Sequence, residues 1–244
     1  MNVSDMNIEH FSIAERFRGP PRSGNGGYVC GRVARHWAGP ATVRLKAPPP
    51  LETGLRLEYS ESRAQLLDGT VLIAEGKSST LELEVPPAPP YARAELASRS
   101  FIGFRQHHFP GCFVCGPDRA PGDGLRIFPG TDHAGAPLAA PWIPDASLCA
   151  DSGNVAPEFL WSALDCTGAF ALLPAPAGMT LVLGELCASI EGSAMPGEHC
   201  IVLGWPLQTE GRKHLAGSAV FSAEGALIAR AKAVWIEVPL DRWT

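Results

Sequence analysis

An acid, Asp165, stands in the middle of a largely apolar stretch, VAPEFLWSALDCTGAFALL over residues 155–173, in which the other acid is Glu158 near the start. Phe159, Ala163, Cys166 and Phe170 recur at helical spacing, with Leu160, Leu164 and Ala171 beside them, so the stretch is expected to form one amphipathic helix. Pro157 suits a first turn and Glu158 favours a helix start, which puts the N-terminus near Ala156. A carboxylate in that setting is either an exposed or capping residue, or a general base or nucleophile. The complementary chemistry is a set of backbone N–H groups that polarise a carbonyl. Asn25-Gly26-Gly27-Tyr28 offers it, because glycines at a helix start admit a substrate to exposed amides and the helix dipole stabilises an oxyanion there. The competing reading makes Gly26 and Gly27 turn glycines.

Other residues carry weaker signals. Glu158 precedes Asp165 by two helical turns, roughly 10 Å along the axis, too far to share a proton, so it is expected to be a helix-start charge. Trp161 lies between the two acids, and Asn154 is either a turn or capping residue or a donor to substrate. Cys112 and Cys115 form a C-x2-C pair after His107 and His108, half of a zinc site by spacing. No second pair follows, and the remaining ligands would have to be isolated residues such as Cys149 or His199. The expectation is therefore no metal and a loop packed by Phe113. Cys166 is expected to be a buried thiol rather than a nucleophile. Arg22, Arg32, Arg35, Arg119 and Arg126 lie near these segments and could meet phosphates.

The elements that must position these residues come in two similar series. Strand texture near residues 10–17 precedes a helix over residues 26–37, and strands follow through residue 85 with a turn at Asp68-Gly69. PPAPP then opens a stiff linker. Past it come a Gly/Pro-rich loop, short extended segments at residues 125–128 and 137–144, the helix carrying Asp165, and strands joined by turns at Pro196-Gly197, Glu210-Gly211 and Glu224-Gly225. Leu72-Ile73-Ala74-Glu75-Gly76-Lys77 is echoed by Leu227-Ile228-Ala229-Arg230-Ala231-Lys232 after the equivalent turn, which points to an internal duplication. The organisation expected is residues 1–85, a linker over 86–110, and residues 111–244.

Composition bounds the function classes. A formal net charge of -5 without a basic cluster argues against nucleic-acid binding. The first twenty residues lack an apolar run suited to a signal peptide, and no uninterrupted eighteen-residue apolar span occurs, so a cytoplasmic protein with no membrane partner is expected. The seven scattered cysteines are not a secreted disulfide framework.

A helix followed by antiparallel strands that curve around it, in two copies, resembles the hotdog fold. Cys112 to Leu125, CFVCGPDRAPGDGL, is similar to the Cys-Phe-x-Cys-Gly loop in a branch of hotdog acyl-CoA thioesterases, with Arg119 to Asp123 replacing the usual Asn-Pro. Asn25-Gly26-Gly27-Tyr28-Val29 is similar to the Gly-Gly helix start in the N-terminal copy of double-hotdog thioesterases. The resemblance implies an α+β tandem (double) hotdog, with two long helices each wrapped by a curved antiparallel sheet. In phenylacetyl-CoA-type members the helix begins His-Gly-Gly and an Asp follows nine residues after the His. Here Asp165 puts Ala156-Pro157-Glu158 at the His-Gly-Gly positions of the second copy, whereas in the first copy Asn25-Gly26-Gly27 leads to Ala34 where the acid should stand. One composite site is therefore expected, with Gly26 and Gly27 from one helix start and Asp165 from the other helix. Asn25, Tyr28, Asn154, Glu158 and Trp161 would contact substrate. The implied activity is hydrolysis of a small or medium acyl-CoA thioester without a cofactor, coenzyme A entering with the substrate. The alternatives are a non-catalytic acyl-CoA-binding or sensing module, and a hydratase or dehydratase, for which His36 is the histidine nearest either helix start. Strands such as 181–191 could pair with another copy to give a homodimer.

Overall fold

A computed structural model describes residues 6–243. The first series is β1 (Asn7–Phe11), α1 (Gly26–Ala34), β2 (Ala41–Leu45), β3 (Leu55–Tyr59), β4 (Arg63–Asp68) and β5 (Val71–Ser78). After α2 (Tyr91–Ser98) the second series is β6 (Leu138–Trp142), α3 (Pro157–Ala163), α4 (Cys166–Phe170), β7 (Met179–Ile190), β8 (Cys200–Glu210), β9 (Lys213–Ser222) and β10 (Leu227–Pro239). The strands form one sheet in the order β1-β3-β4-β5-β2-β7-β10-β9-β8-β6, with every pair antiparallel. Read inward from either edge, the two series give the same order, first strand, third, fourth, fifth, second. They meet where β2 pairs with β7, Val43 opposite Leu186 and Arg44 opposite Glu185. The echoed hexapeptides fall in β5 and β10, the last strand of each series.

Turn chemistry and burial explain the sheet locally. Gly69, Gly211 and Gly225 take positive φ at the hairpins β4–β5, β8–β9 and β9–β10, a conformation that costs glycine nothing. The opening run of β8 is buried throughout rather than alternating. Cys200 and Val202 enter the main core, while Ile201, Leu203 and Trp205 join a second cluster with Ala94 and Ala97 of α2. Both faces of β8 are thus covered, the condition under which a strand reads as a continuous apolar run.

Several expectations are corrected. The helix expected over residues 26–37 stops at Ala34, and the strand expected near 10–17 is β1 followed by a 3-10 turn at Glu15–Phe17. Residues 125–128 form no strand. Residues 86–110 are more than a linker, since α2 and a 3-10 turn at Ile102–Phe104 lie within them and α2 seals the outer face of β8 and β6. Neither principal helix is long: α1 has 9 residues, and the expected second helix is broken into α3 of 7 and α4 of 5. Strand β7 is central, paired on both sides by β2 and β10, so pairing with another copy through residues 181–191 is closed off. The edges are β1 and β6.

The break falls at Asp165, whose ψ of -85° is not helical. Gly168 N–H turns to Asp165 O at 3.2 Å, and the Leu164 carbonyl accepts from Ser218 Oγ at 2.6 Å, a side-chain substitute for the lost intrahelical bond. Strand β8 approaches α4 so closely that a Cβ on Gly204 would lie 2.4 Å from Thr167 O. Gly204→Ala is expected to cost about 1–3 kcal/mol, read as a lowered midpoint in thermal or denaturant unfolding.

Candidate active site

Helix α1 starts where the sequence places it, and its cap is also the first part of the site. Asn25 holds extended backbone as N-cap, and its Oδ1 accepts from Tyr28 N–H at 2.9 Å. Its other end crosses to the second series: Nδ2 donates to Asp165 Oδ2 at 2.7 Å, and Gly27 N–H donates to the same oxygen at 3.0 Å. The approach depends on small residues on α1. A Cβ at Gly27 would lie 2.6 Å from Asp165 Cβ, and one at Gly31 2.6 Å from Glu158 Cα. Gly31 carries no motif and was not among the sequence candidates.

Asp165 is 2 % exposed, so desolvation dominates its acidity. Burial pushes the carboxyl up to about 7; the Gly27 and Asn25 donors oppose that rise, and Cys112 adds to it. Its second oxygen, Oδ1, is buried without a hydrogen-bond partner among the described residues. Asn25→Ala removes both a helix cap and a donor to this carboxylate. It is expected to destabilise the protein by about 1–3 kcal/mol, measured by chemical denaturation against wild type.

Asp165, Asn25 and Gly26 lie on the wall of a cavity of about 380 Å³. Leu45, Phe109, Phe170, Leu183, Trp235 and Trp243 give that cavity its apolar lining. Gly27 is not on the wall: its amide is engaged with Asp165. The N–H of Gly26 donates no hydrogen bond among the described residues, so the two glycines of the motif have different surroundings. His107 and His108 line the cavity too, His108 Nδ1 lying 3.0 Å from Thr180 Oγ1 and His107 Nδ1 accepting from Phe109 N–H at 3.0 Å.

Four expected substrate contacts are not on this wall. Tyr28 stacks on Phe17 at 4.3 Å within a cluster that includes Phe113 and Phe159, and its hydroxyl accepts from Arg32. Trp161 is buried against Gly31, and Glu158 lies at the same helix crossing, its carbonyl bonded by Ser162 Oγ. Asn154 sits in the turn before α3, its backbone carbonyl bonded by Ala150 N–H, the turn role that was the simpler reading. For Tyr28 and Trp161 the cause is rotational phase: a part-turn about a buried helix moves a residue from cavity to core.

The arginines considered for phosphates do not line the cavity either. Arg32 and Arg35 pair with Glu9, Arg119 with Asp123, and Arg126 bonds the Arg119 carbonyl. Among the described residues, the Lys or Arg on the wall is Lys46, which pairs with Glu75 at 2.7 Å. His36 stacks on Tyr59 at 3.6 Å and meets Glu9, away from the cavity.

Three thiols converge beside Asp165. Cys112, Cys115 and Cys166 are buried with their sulfurs all within 4.8 Å of one another, and Asn25 Nδ2 lies 4.0 Å from Cys112 Sγ and 3.9 Å from Cys166 Sγ. The thiols of Cys115 and Cys166, both donating to Cys112, hold its sulfur well below the ordinary thiol range. Cys166 is buried, as expected, but it has close company that no spacing revealed.

No protein-family model and no curated protein matches the chain. Solved structures do. The TesB protein of Mycobacterium avium subs paratuberculosis superposes with a TM-score of 0.63 at 12 % identity, over 98 % of this chain and 95 % of its own. A hot dog fold protein of unknown function from Alicyclobacillus acidocaldarius gives 0.61 at 12 %, over 98 % and 95 %. The acyl-CoA thioesterase II TesB2 of Mycobacterium marinum gives 0.58 at 12 %, over 96 % and 93 %. No helix among the described residues is long and apolar enough to cross a membrane.

Proposed function

The chain has the hotdog fold, and from that premise we propose that it is a tandem duplication of a hotdog unit that hydrolyses a small or medium acyl-CoA thioester at one composite site. The observation that carries the reading is that Asp165, from the second series, is held by Asn25 and by the Gly27 amide, from the first, and that Asp165, Asn25 and Gly26 lie together on the wall of an apolar cavity.

In the proposed mechanism, Asn25 Nδ2 and Gly27 N–H fix Asp165 through Oδ2. Oδ1 has no partner and is left to take a proton from water. Gly26 N–H, at the positive end of α1, polarises the thioester carbonyl. Water adds to the carbonyl carbon, the tetrahedral intermediate collapses with cleavage of the carbon–sulfur bond, and the proton held on Asp165 passes to the leaving thiolate. Attack by Asp165 itself, through an anhydride, would use the same contacts. The apolar wall takes the acyl group. The opposite pairing lacks its parts: Ala34 stands where an acid would be, Pro157 has no N–H to donate, and the Phe17–Tyr28–Phe159 cluster packs beside α3.

The test is a panel of acyl-CoA thioesters of increasing chain length, followed by release of the free thiol. Turnover of short or medium members supports the reading. Tight binding of coenzyme A esters without turnover of any of them would favour a binding or sensing module instead.

A further inference from the structure

The Cys-x2-Cys motif over residues 112–115 lacked further ligands nearby in the sequence, and the fold supplies one from far along the chain, Cys166 at the start of α4. We propose that Cys112, Cys115 and Cys166 bind a thiophilic divalent cation, zinc being the one that suits the set, with the fourth position filled by water from the cavity.

The distances suit this ion. Zinc–thiolate bonds of about 2.3 Å in a tetrahedron separate neighbouring sulfurs by roughly 3.8 Å. Cys112 Sγ and Cys166 Sγ stand 3.7 Å apart, and no pair in the triad exceeds 4.8 Å. Closing the set around an ion takes side-chain movements of an ångström or less at each sulfur.

The surroundings suit thiolates. The turn that carries Cys112 is closed by Gly116 N–H, which donates to Cys112 O at 2.9 Å. Gly116 must be glycine, because a Cβ there would fall 2.4 Å from Pro110 O and 2.5 Å from Cys112 O. Asn25 Nδ2 faces two of the three sulfurs, the kind of outer donor that orients metal-bound thiolates. His107 is not the fourth ligand: Nδ1 accepts from Phe109 N–H, so the neutral ring carries its proton on Nε2. All three cysteines line the cavity that holds Asp165, which gives water access to the remaining position.

Such an ion would tie the 112–116 loop to the residue following Asp165 and so hold the helix break in place. The proposal concerns binding alone, and it stands or falls independently of thioester turnover.

Two measurements test it on the full chain. In the first, metal analysis after purification under reducing conditions and incubation with one equivalent of zinc should find about one zinc per chain. Cys115→Ser and Cys166→Ser should each bind zinc more than about 100-fold more weakly, a larger loss than removal of an outer hydrogen-bond partner brings. Cys149→Ser, at an exposed cysteine outside the triad, should bind as wild type does. In the second, wild-type protein loaded with cobalt should show sulfur-to-cobalt charge transfer in the near ultraviolet and the intense visible bands of a tetrahedral site, which settles the matter if a serine variant fails to fold. Absence of both zinc and the cobalt spectrum, zinc binding that survives Cys166→Ser, or a Cys112–Cys166 disulfide in protein prepared without oxygen would each overturn it.

Discussion

Asp165→Asn is expected to lower kcat for acyl-CoA hydrolysis by about 10²–10⁴-fold while the protein stays folded. The amide keeps the shape of the carboxylate, and its oxygen can accept from Gly27 N–H and Asn25 Nδ2 as Oδ2 does at 3.0 and 2.7 Å. What it puts at the unpartnered Oδ1 position is an NH2 group, which takes no proton from water and does not attack a carbonyl. Substrate binding through the apolar wall is untouched, so KM should change little while kcat falls, the pattern of a group that acts in the transition state. Stability should move the other way. A carboxylate that is 2 % exposed pays for desolvation that a neutral amide avoids, so the unfolding midpoint of the variant should equal or exceed that of wild type. Initial rates by thiol release and a denaturation curve check both halves. Turnover equal to wild type would remove Asp165 from the mechanism.

What the residues disclosed in advance was local, and what they concealed was long-range. Asn25-Gly26-Gly27 announced a helix start, because capping and backbone freedom are properties of neighbours in the chain, and α1 begins there. Most strands and their glycine turns were legible for the same reason. The echo between β5 and β10 pointed to the repeated order of elements, and the sheet bears that order out in its strand pairing. The break at Asp165 was not legible. Phe159, Ala163, Cys166 and Phe170 keep helical spacing across it, and the group that stabilises it, Ser218 Oγ on the Leu164 carbonyl, comes from 54 positions away. Helix α2 was hidden behind prolines that suit a linker, because its reason for existing is the apolar outer face of β8, visible only once the sheet is assembled. The third cysteine was hidden likewise. Spacing rules find ligands that lie close in sequence, and Cys166 reaches Cys112 only through the fold.

The two glycines of the motif should respond differently to the same added methyl group. Gly27→Ala places its Cβ 2.6 Å from Asp165 Cβ, 2.7 Å from Trp161 O and 3.0 Å from Ser162 Cα. Two of these three atoms are backbone and the third is fixed at its root, so relief requires α1 and α3 to separate. The expected cost is about 1–3 kcal/mol or more, a fall of roughly 2–12 °C in melting temperature for a chain of this size. Separation also moves the amide that holds Asp165, and a displacement near 1 Å between reacting groups costs about 100-fold in rate. Gly26→Ala meets Leu183 Cδ2 at 2.8 Å and Leu45 Cδ1 at 3.3 Å, side-chain ends on the cavity wall that can give way into the cavity, and its one contact fixed at the root is Leu183 Cβ at 2.9 Å. Its melting temperature should fall less, and its effect should appear as a raised KM for the longer acyl chains that need the space. Equal destabilisation by both substitutions would mean that the Gly26 side of the cavity is as rigid as the helix crossing. Normal turnover by a stably folded Gly27→Ala protein would mean that the Gly27 amide does not set the position of the carboxylate.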